Sequence, residues 1–362
     1  MGYDKSHTFK FLSGSKPVLK QTAGSGRCFK VELTDPCMTD IVNKDVYQPP
    51  GLLRNRHFNT IFTNFLRKDP LPPSQDFTLF TPDNDFLAGD YYTCGSNRLI
   101  VAFHGLEGNS TSTYMLSLAR AALSQGYDML AMNFRGCGRQ SNNLLISYHS
   151  GKSDDVHLVM NEINSRFDYE QIVLTGFSLG GNVVTKYGGE HQYIKAGNLK
   201  AIAAVSVPFD LEATALHMER WQNKLYLWHL LMPLKQKARQ KIRQFPESPY
   251  RTDVIKDITT FYAFDDYFTA PVHGFGTAPN YYRLCSSKQF IALAERPTLL
   301  INALDDPFFP EACYPFEESE QNDRVFFLAP SYGGHVGFSQ NVRFSEMGWH
   351  EKQLFRFLQE LI

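Results

Sequence analysis

The chemistry legible in this chain begins at a serine set between glycines, Gly176-Phe177-Ser178-Leu179-Gly180. A serine hydroxyl is a poor nucleophile near neutral pH and needs a general base beside it. The pentapeptide follows directly on the apolar run Gln171-Ile172-Val173-Leu174-Thr175 and precedes a helical pattern from about Gly181-Asn182. That context predicts a sharp strand-to-helix turn with a strained serine, for which the flanking glycines leave room. Such a turn also sets the hydroxyl at a helix N-terminus, where the positive dipole and unpaired N–H groups favour an oxyanion.

His335 is the candidate base. It lies in Tyr332-Gly333-Gly334-His335-Val336-Gly337, just after the last apolar run. A lone loop histidine is ordinarily a solvated residue; the position and the glycines argue for catalysis here. An acid would hold the imidazole in the right tautomer and stabilise the imidazolium. Asp305 and Asp306 both follow the run Pro297–Ala303, and only one of two adjacent carboxylates can point at His335. The last element is His104-Gly105-Leu106-Glu107-Gly108 at the end of Arg98–Phe103. Gly105 lets the backbone turn so that the Leu106 N–H, with that of Leu179, forms an oxyanion hole. One such donor is worth about 3–4 kcal/mol. His104 reads as a structural hydrogen-bonding residue.

These residues need a scaffold that brings strand ends together. From Asn97 onward, short apolar runs alternate with amphipathic segments, the signature of a mostly parallel sheet flanked by helices. Strands are expected at Arg98–Phe103, Asp128–Phe134, Gln171–Thr175, Leu199–Val207, Pro297–Ala303 and Val325–Leu328. Helices are expected at Thr113–Ser124, after a Ser153 cap, and at Trp349–Leu361. Asp76 to Tyr92 alternates apolar and polar residues, which predicts an antiparallel meander before the parallel strands. The rhythm breaks over 210–296, which carries helical, aromatic-rich sequence and reads as a helical lid insertion.

Within that insertion Trp221, Leu225, Trp228, Leu231 and Met232 precede Lys235, Lys237, Arg239, Lys241 and Arg243. An apolar helix joined to a basic one could rest on anionic lipid. Peripheral membrane contact is nonetheless the disfavoured reading, because Pro233 should divide the stretch and the charges occupy more than one face. The favoured reading is a lid with its charges in water.

Lys plus Arg (36) and Asp plus Glu (37) nearly cancel across 362 residues, so no global field points to nucleic acid. Six scattered cysteines without CxxC spacing fit a reducing, cytoplasmic setting better than a disulfide framework or a zinc site. Residues 1–37 are polar and turn-rich and read as a disordered extension, with organised sequence over 38–362. Gly2 and Ser6 match the spacing of an N-myristoylation signal, a short motif that commonly arises by chance.

Beyond the chemistry-bearing residues, the chain resembles the YheT-like α/β-hydrolases, which are similar to certain eukaryotic phospholipid-directed hydrolases. The likeness runs from about Tyr47 to the C-terminus. It rests on Pro49-Pro50-Gly51-Leu52-Leu53-Arg54-Asn55-Arg56-His57, on Asn133-Phe134-Arg135-Gly136-Cys137, on Tyr148-His149-Ser150-Gly151, and on Phe264–Pro271 with His273-Gly274-Phe275. The resemblance implies the α/β-hydrolase fold and hydrolysis of carboxylic esters or acylglycerols, with no metal or organic cofactor. It also chooses the acid: the run from Asp306 to Pro310 resembles the family's D-x-x-x-P turn, which leaves Asp305 to cap the turn. The order Ser178, Asp306, His335 is then that of the nucleophile-elbow enzymes. Arg54, His57, His149, Asp266 and His273 read as one buried polar network stapling the opening segment and lid to the core. The rival from another class is a catalytically silent lipid- or protein-binding module on the same fold.

Overall fold

The computed structural model describes residues 47–63, 72–193, 195–340 and 347–361. The expected extension at 1–37, with Gly2 and Ser6, lies outside the described residues.

The apolar runs become eight strands: β1 (Gln75–Phe80), β2 (Phe86–Tyr92), β3 (Arg98–Phe103), β4 (Asp128–Asn133), β5 (Gln171–Phe177), β6 (Leu199–Val205), β7 (Thr298–Ile301) and β8 (Val325–Leu328). They form one sheet in the order β1-β2-β4-β3-β5-β6-β7-β8. The expected meander is the antiparallel β1–β2 pair, and β2 also runs antiparallel to β4. The pairs from β4 through β8 are parallel.

Alternating side chains on the buried strands feed two cores. Leu99, Val101 and Phe103 of β3 join one apolar cluster, while Ile100 and Ala102 join the other. The first face is covered by α3 (Ser153–Arg166) and α4 (Leu179–Gly189), the second by α2 (Thr113–Ser124) and α8 (Trp349–Leu361). Ser153 is the first residue of α3 and does not cap it; Lys152 holds the cap position without a side-chain bond. The acidic pair Asp154 and Asp155 still sits in the first turn, where the helix dipole favours it.

The strand order positions the site. β3 and β5 are neighbours, yet β3 leads through α2 to β4 on one side and β5 leads through α4 to β6 on the other. Their outgoing loops therefore diverge and leave a crevice at the strand C-termini. Between β6 and β7 the described chain is helical throughout its regular elements, with α5 (Leu211–Met218), α6 (Lys224–Gln244) and α7 (Ala278–Cys285) as the longest segments. The short helix α1 (Arg56–Ile61) of the opening segment completes the crevice wall. Contrary to expectation, Pro233 does not divide α6. Leu227 and Leu231 are buried before it and Ala238, Lys241 and Ile242 after it, so packing on both sides holds the helix continuous.

A buried ion cluster ties the outer strands to α3. The Arg135 guanidinium donates in a bidentate pair to Asp155 and reaches Asp85 at 3.1 Å and Asp83 at 2.7 Å.

Candidate active site

Ser178 stands between β5 and α4 with φ 51° and ψ −119°, a strained conformation for a residue with a side chain. Its glycine neighbours are required by close backbone contact. A Cβ on Gly176 would lie 2.3 Å from the Gly180 carbonyl oxygen, and one on Gly180 would lie 2.4 Å from that of Phe103. The turn is thus wedged between the ends of β3 and β5. The hydroxyl is held at the start of α4, and the Ser178 N–H donates to Val205 O at 2.9 Å.

The loop after β8 brings His335 to this serine. Its Nε2 is 3.0 Å from Ser178 Oγ, and its Nδ1 is 2.8 Å from Asp306 Oδ2. A carboxylate accepting from Nδ1–H leaves the Nε2 lone pair facing the hydroxyl, the tautomer a general base needs. The loop is pinned by its own amides: Gly334 donates to Asp305 Oδ1, His335 to Thr60 Oγ1 and Val336 to Ser206 Oγ, each at 2.9 Å. Phe308 stacks on the imidazole with ring centroids 4.1 Å apart, and Phe309 meets it edge-on.

The adjacent aspartates exchange one expected duty. Asp306 itself closes the turn, with Oδ1 accepting the Phe308 N–H at 2.9 Å, while Asp305 anchors the His335 loop instead. A carboxylate has acceptor sites enough for both of the Asp306 bonds. Burial, with the like charge of Asp306 beside it, pushes the Asp305 carboxyl up to about 6.

Leu106 and Leu179 both line the cavity at Ser178. Leu179 is the first residue of α4, so its N–H has no intrahelical partner. The residues on either side of Leu106 are fixed by tyrosines: Gly105 N–H donates to Tyr114 Oη and Glu107 N–H to Tyr148 Oη, both at 2.9 Å. His104 is fully buried, with Nε2 accepting the Phe134 N–H and Nδ1 against Gly105 O. Burial lowers it to about 4, which keeps it neutral and structural, as its sequence context suggests.

Sequence reasoning missed the support beneath this loop. Glu107, in a left-handed conformation (φ 53°), is bonded by Lys237 Nζ and Tyr148 Oη, both at 2.7 Å, and Lys237 also contacts Cys137 Sγ at 2.9 Å. Lys237 and Glu107 are 130 positions apart, so no local pattern reveals the pair. The lysines in the basic half of α6 are accordingly not spread in water, while Arg243 is exposed. Lys235 donates to the Lys256 and Ile258 carbonyls, and buried Lys241 to those of Asn142 and Leu144.

The cavity measures about 510 Å³. Its walls are largely apolar, with Leu106, Leu179, Met218, Leu230, Phe261 and Phe308 among them, and His149, Asp265, Tyr281 and Tyr282 among its polar lining. The Asp265 carboxylate accepts from Tyr282 Oη at 2.8 Å, and burial raises it to about 6. The five residues read as one network form separate contacts. His57 stacks on Tyr226 and bonds its hydroxyl at 3.0 Å, joining the opening segment to α6. His149 and His273 meet edge-on at 4.8 Å, Asp266 accepts the Ala278 N–H at the start of α7, and Arg54 donates to the Pro49 carbonyl.

A serine, imidazole and carboxylate in line beside the amides of Leu106 and Leu179 is an arrangement that can carry out acyl transfer. Residues 98–342 match the family described as the alpha/beta hydrolase fold. The chain belongs to the α/β-hydrolase fold family. This hydrolase is 32% identical over 308 residues to YheT of Escherichia coli (strain K12), a protein named as an esterase, covering 83% of this chain and 89% of the relative. It is 27% identical over 289 residues to a monoacylglycerol lipase of Saccharomyces cerevisiae, covering 78% of this chain and 62% of that one. Among solved structures, an esterase of Pyrococcus furiosus superposes with a TM-score of 0.52 at 16% identity, over 87% of this hydrolase and 99% of that chain. Among the described residues no helix is long and apolar enough to cross a membrane.

Proposed function

We propose that this hydrolase cleaves carboxylic esters of fatty acids, acylglycerols among them, through an acyl-enzyme on Ser178. The protein is a carboxylic ester hydrolase. The observation that carries the serine mechanism is the continuous chain from Ser178 Oγ through His335 to Asp306, at 3.0 and 2.8 Å, opening into an apolar cavity. The lipid character of the substrate is supported by those apolar walls and by the name of the yeast relative.

In the first step His335 Nε2 takes the Ser178 proton as Oγ attacks the ester carbonyl. The amides of Leu106 and Leu179 hold the tetrahedral oxyanion. The imidazolium, steadied by Asp306, returns the proton to the departing alcohol, leaving the acyl group on Ser178. Water then attacks the acyl carbonyl as it gives a proton to His335, and the imidazolium returns that proton to Oγ as the acyl–Oγ bond breaks, which frees the acid and restores the serine. The helical segment over 210–296 acts as a lid whose inner side forms the acyl-binding wall.

The direct test is a fluorophosphonate probe on folded protein, wild type beside Ser178→Ala. Labelling of wild type alone, with loss of ester turnover in the variant, is the expected outcome. Wild type that hydrolyses no ester and takes no label would make the fold a binding module instead.

A further inference from the structure

Over its first turns α6 presents three faces. Leu227 and Leu231 are buried among the neighbouring helices. Tyr226, Leu230, Pro233 and Leu234 line the cavity above Ser178. The third face points outward and is apolar: Leu225, Trp228 and Met232, with Trp221 just ahead of the helix, follow one another at helical spacing and are 72%, 61%, 45% and 77% exposed. A contiguous apolar stripe of this kind on a soluble domain marks an interaction surface.

Glu219 precedes the stripe, and the charges that follow it along the helix have one sign. Arg220 and Lys224 flank it and are exposed. From Arg220 to Pro246 the chain contains no Asp or Glu. The lysines at 235, 237 and 241 are committed inward, and exposed Arg243 lies at the other end of the helix, which leaves Arg220 and Lys224 as the outward cations at the stripe.

We infer that the stripe Trp221, Leu225, Trp228 and Met232 docks on an anionic lipid surface. Tryptophan suits the boundary between headgroups and acyl chains, and the exposed cations Arg220 and Lys224 complement anionic headgroups. The helix that carries the stripe also walls the cavity. A lipid ester leaving the layer would therefore enter beside its own docking surface without crossing bulk water. The inference departs from the disfavoured sequence reading for a specific reason: one face of the apolar half of α6 points outward, while Lys235, Lys237 and Lys241 of the basic half, which argued against a single lipid-facing side, are bonded inward. The docking itself stands on surface chemistry alone, while the delivery of substrate rests on the ester-hydrolase reading.

The experiment is co-sedimentation of the full chain with phosphatidylcholine vesicles, with and without phosphatidylglycerol. Wild type is compared with Trp221→Ser/Trp228→Ser and, as a second variant, Leu225→Gln/Met232→Gln. Wild type should bind the anionic vesicles at low salt. Both variants should bind about tenfold more weakly or worse, while hydrolysing a short soluble ester at the wild-type rate. That soluble-ester rate reads Ser178 independently, so loss of turnover and loss of docking are separate results. Absence of wild-type binding, or equal binding by folded variants, overturns the inference. So does a wild-type dimer in sedimentation velocity that dissociates in both variants, since the stripe would then serve a second copy of the chain.

Discussion

The two neighbouring aspartates differ only in what they face. Asp306 is aligned with His335 Nδ1, whereas Asp305 accepts an amide of the loop that carries the histidine. Asp306→Asn should lower kcat by about ten-thousandfold on a soluble ester, because an amide in that place favours the wrong imidazole tautomer. Asp305→Asn keeps an acceptor for Gly334 and should leave kcat within a few-fold of wild type. Its effect belongs to stability. The folded pKa of Asp305, about 6, lies above the ordinary carboxylate value of 3.8. Its contribution is therefore fully present below that ordinary value and is lost as pH rises through about 6. Denaturation measured across this window should show wild type losing stability relative to Asp305→Asn, by about 3 kcal/mol at most and less after solvent screening.

At the scale of elements, the oxyanion loop is supported from α6. Lys237 neutralises Glu107, the residue after the proposed Leu106 donor, and both side chains are largely buried. Lys237→Met would leave a buried carboxylate beside the developing oxyanion. Such broken pairs cost about 3–5 kcal/mol, and this one should lower kcat as well as stability. The double variant Glu107→Gln/Lys237→Met should recover most of both, and a double-mutant cycle on kcat and denaturation midpoint would measure the coupling. A kcat unchanged in Lys237→Met would show that the contact serves only to fasten the helix.

Across the whole molecule, the site is a meeting of distant segments. Ser178 comes from the sheet centre, His335 from the far side of β8, Thr60 from the opening segment and the cavity wall from the helices between β6 and β7. The apolar cavity should make kcat/KM rise with acyl length from acetyl upward. Each methylene that becomes buried contributes about 0.8 kcal/mol, roughly fourfold, until the cavity is full. A series of aryl esters of increasing chain length would measure this, and a flat or falling series would place the acyl group outside the cavity.

Sequence alone determined the strands from β3 to β8, the nucleophile turn and the residues of the candidate triad, because each is written in a short local pattern. Period-two and period-3.6 apolar spacing encode strands and helices, and Gly176 and Gly180 reflect contacts that tolerate no side chain. The choice of Asp306 over Asp305 came from the likeness of the turn that follows it to the family's, and the hydrogen bonds to Phe308 and Gly334 were not legible. Local pattern also misjudged α6. Pro233 signalled a break and the lysines signalled a solvated face, yet packing carries the helix through the proline and draws Lys235, Lys237 and Lys241 inward. Only the tertiary structure decided these points, because the partners of Lys237 and Lys241 lie about a hundred positions or more away in the chain. The direction in which a side chain points there is set by the surface that folding brings against it, and no window of neighbouring residues contains that surface.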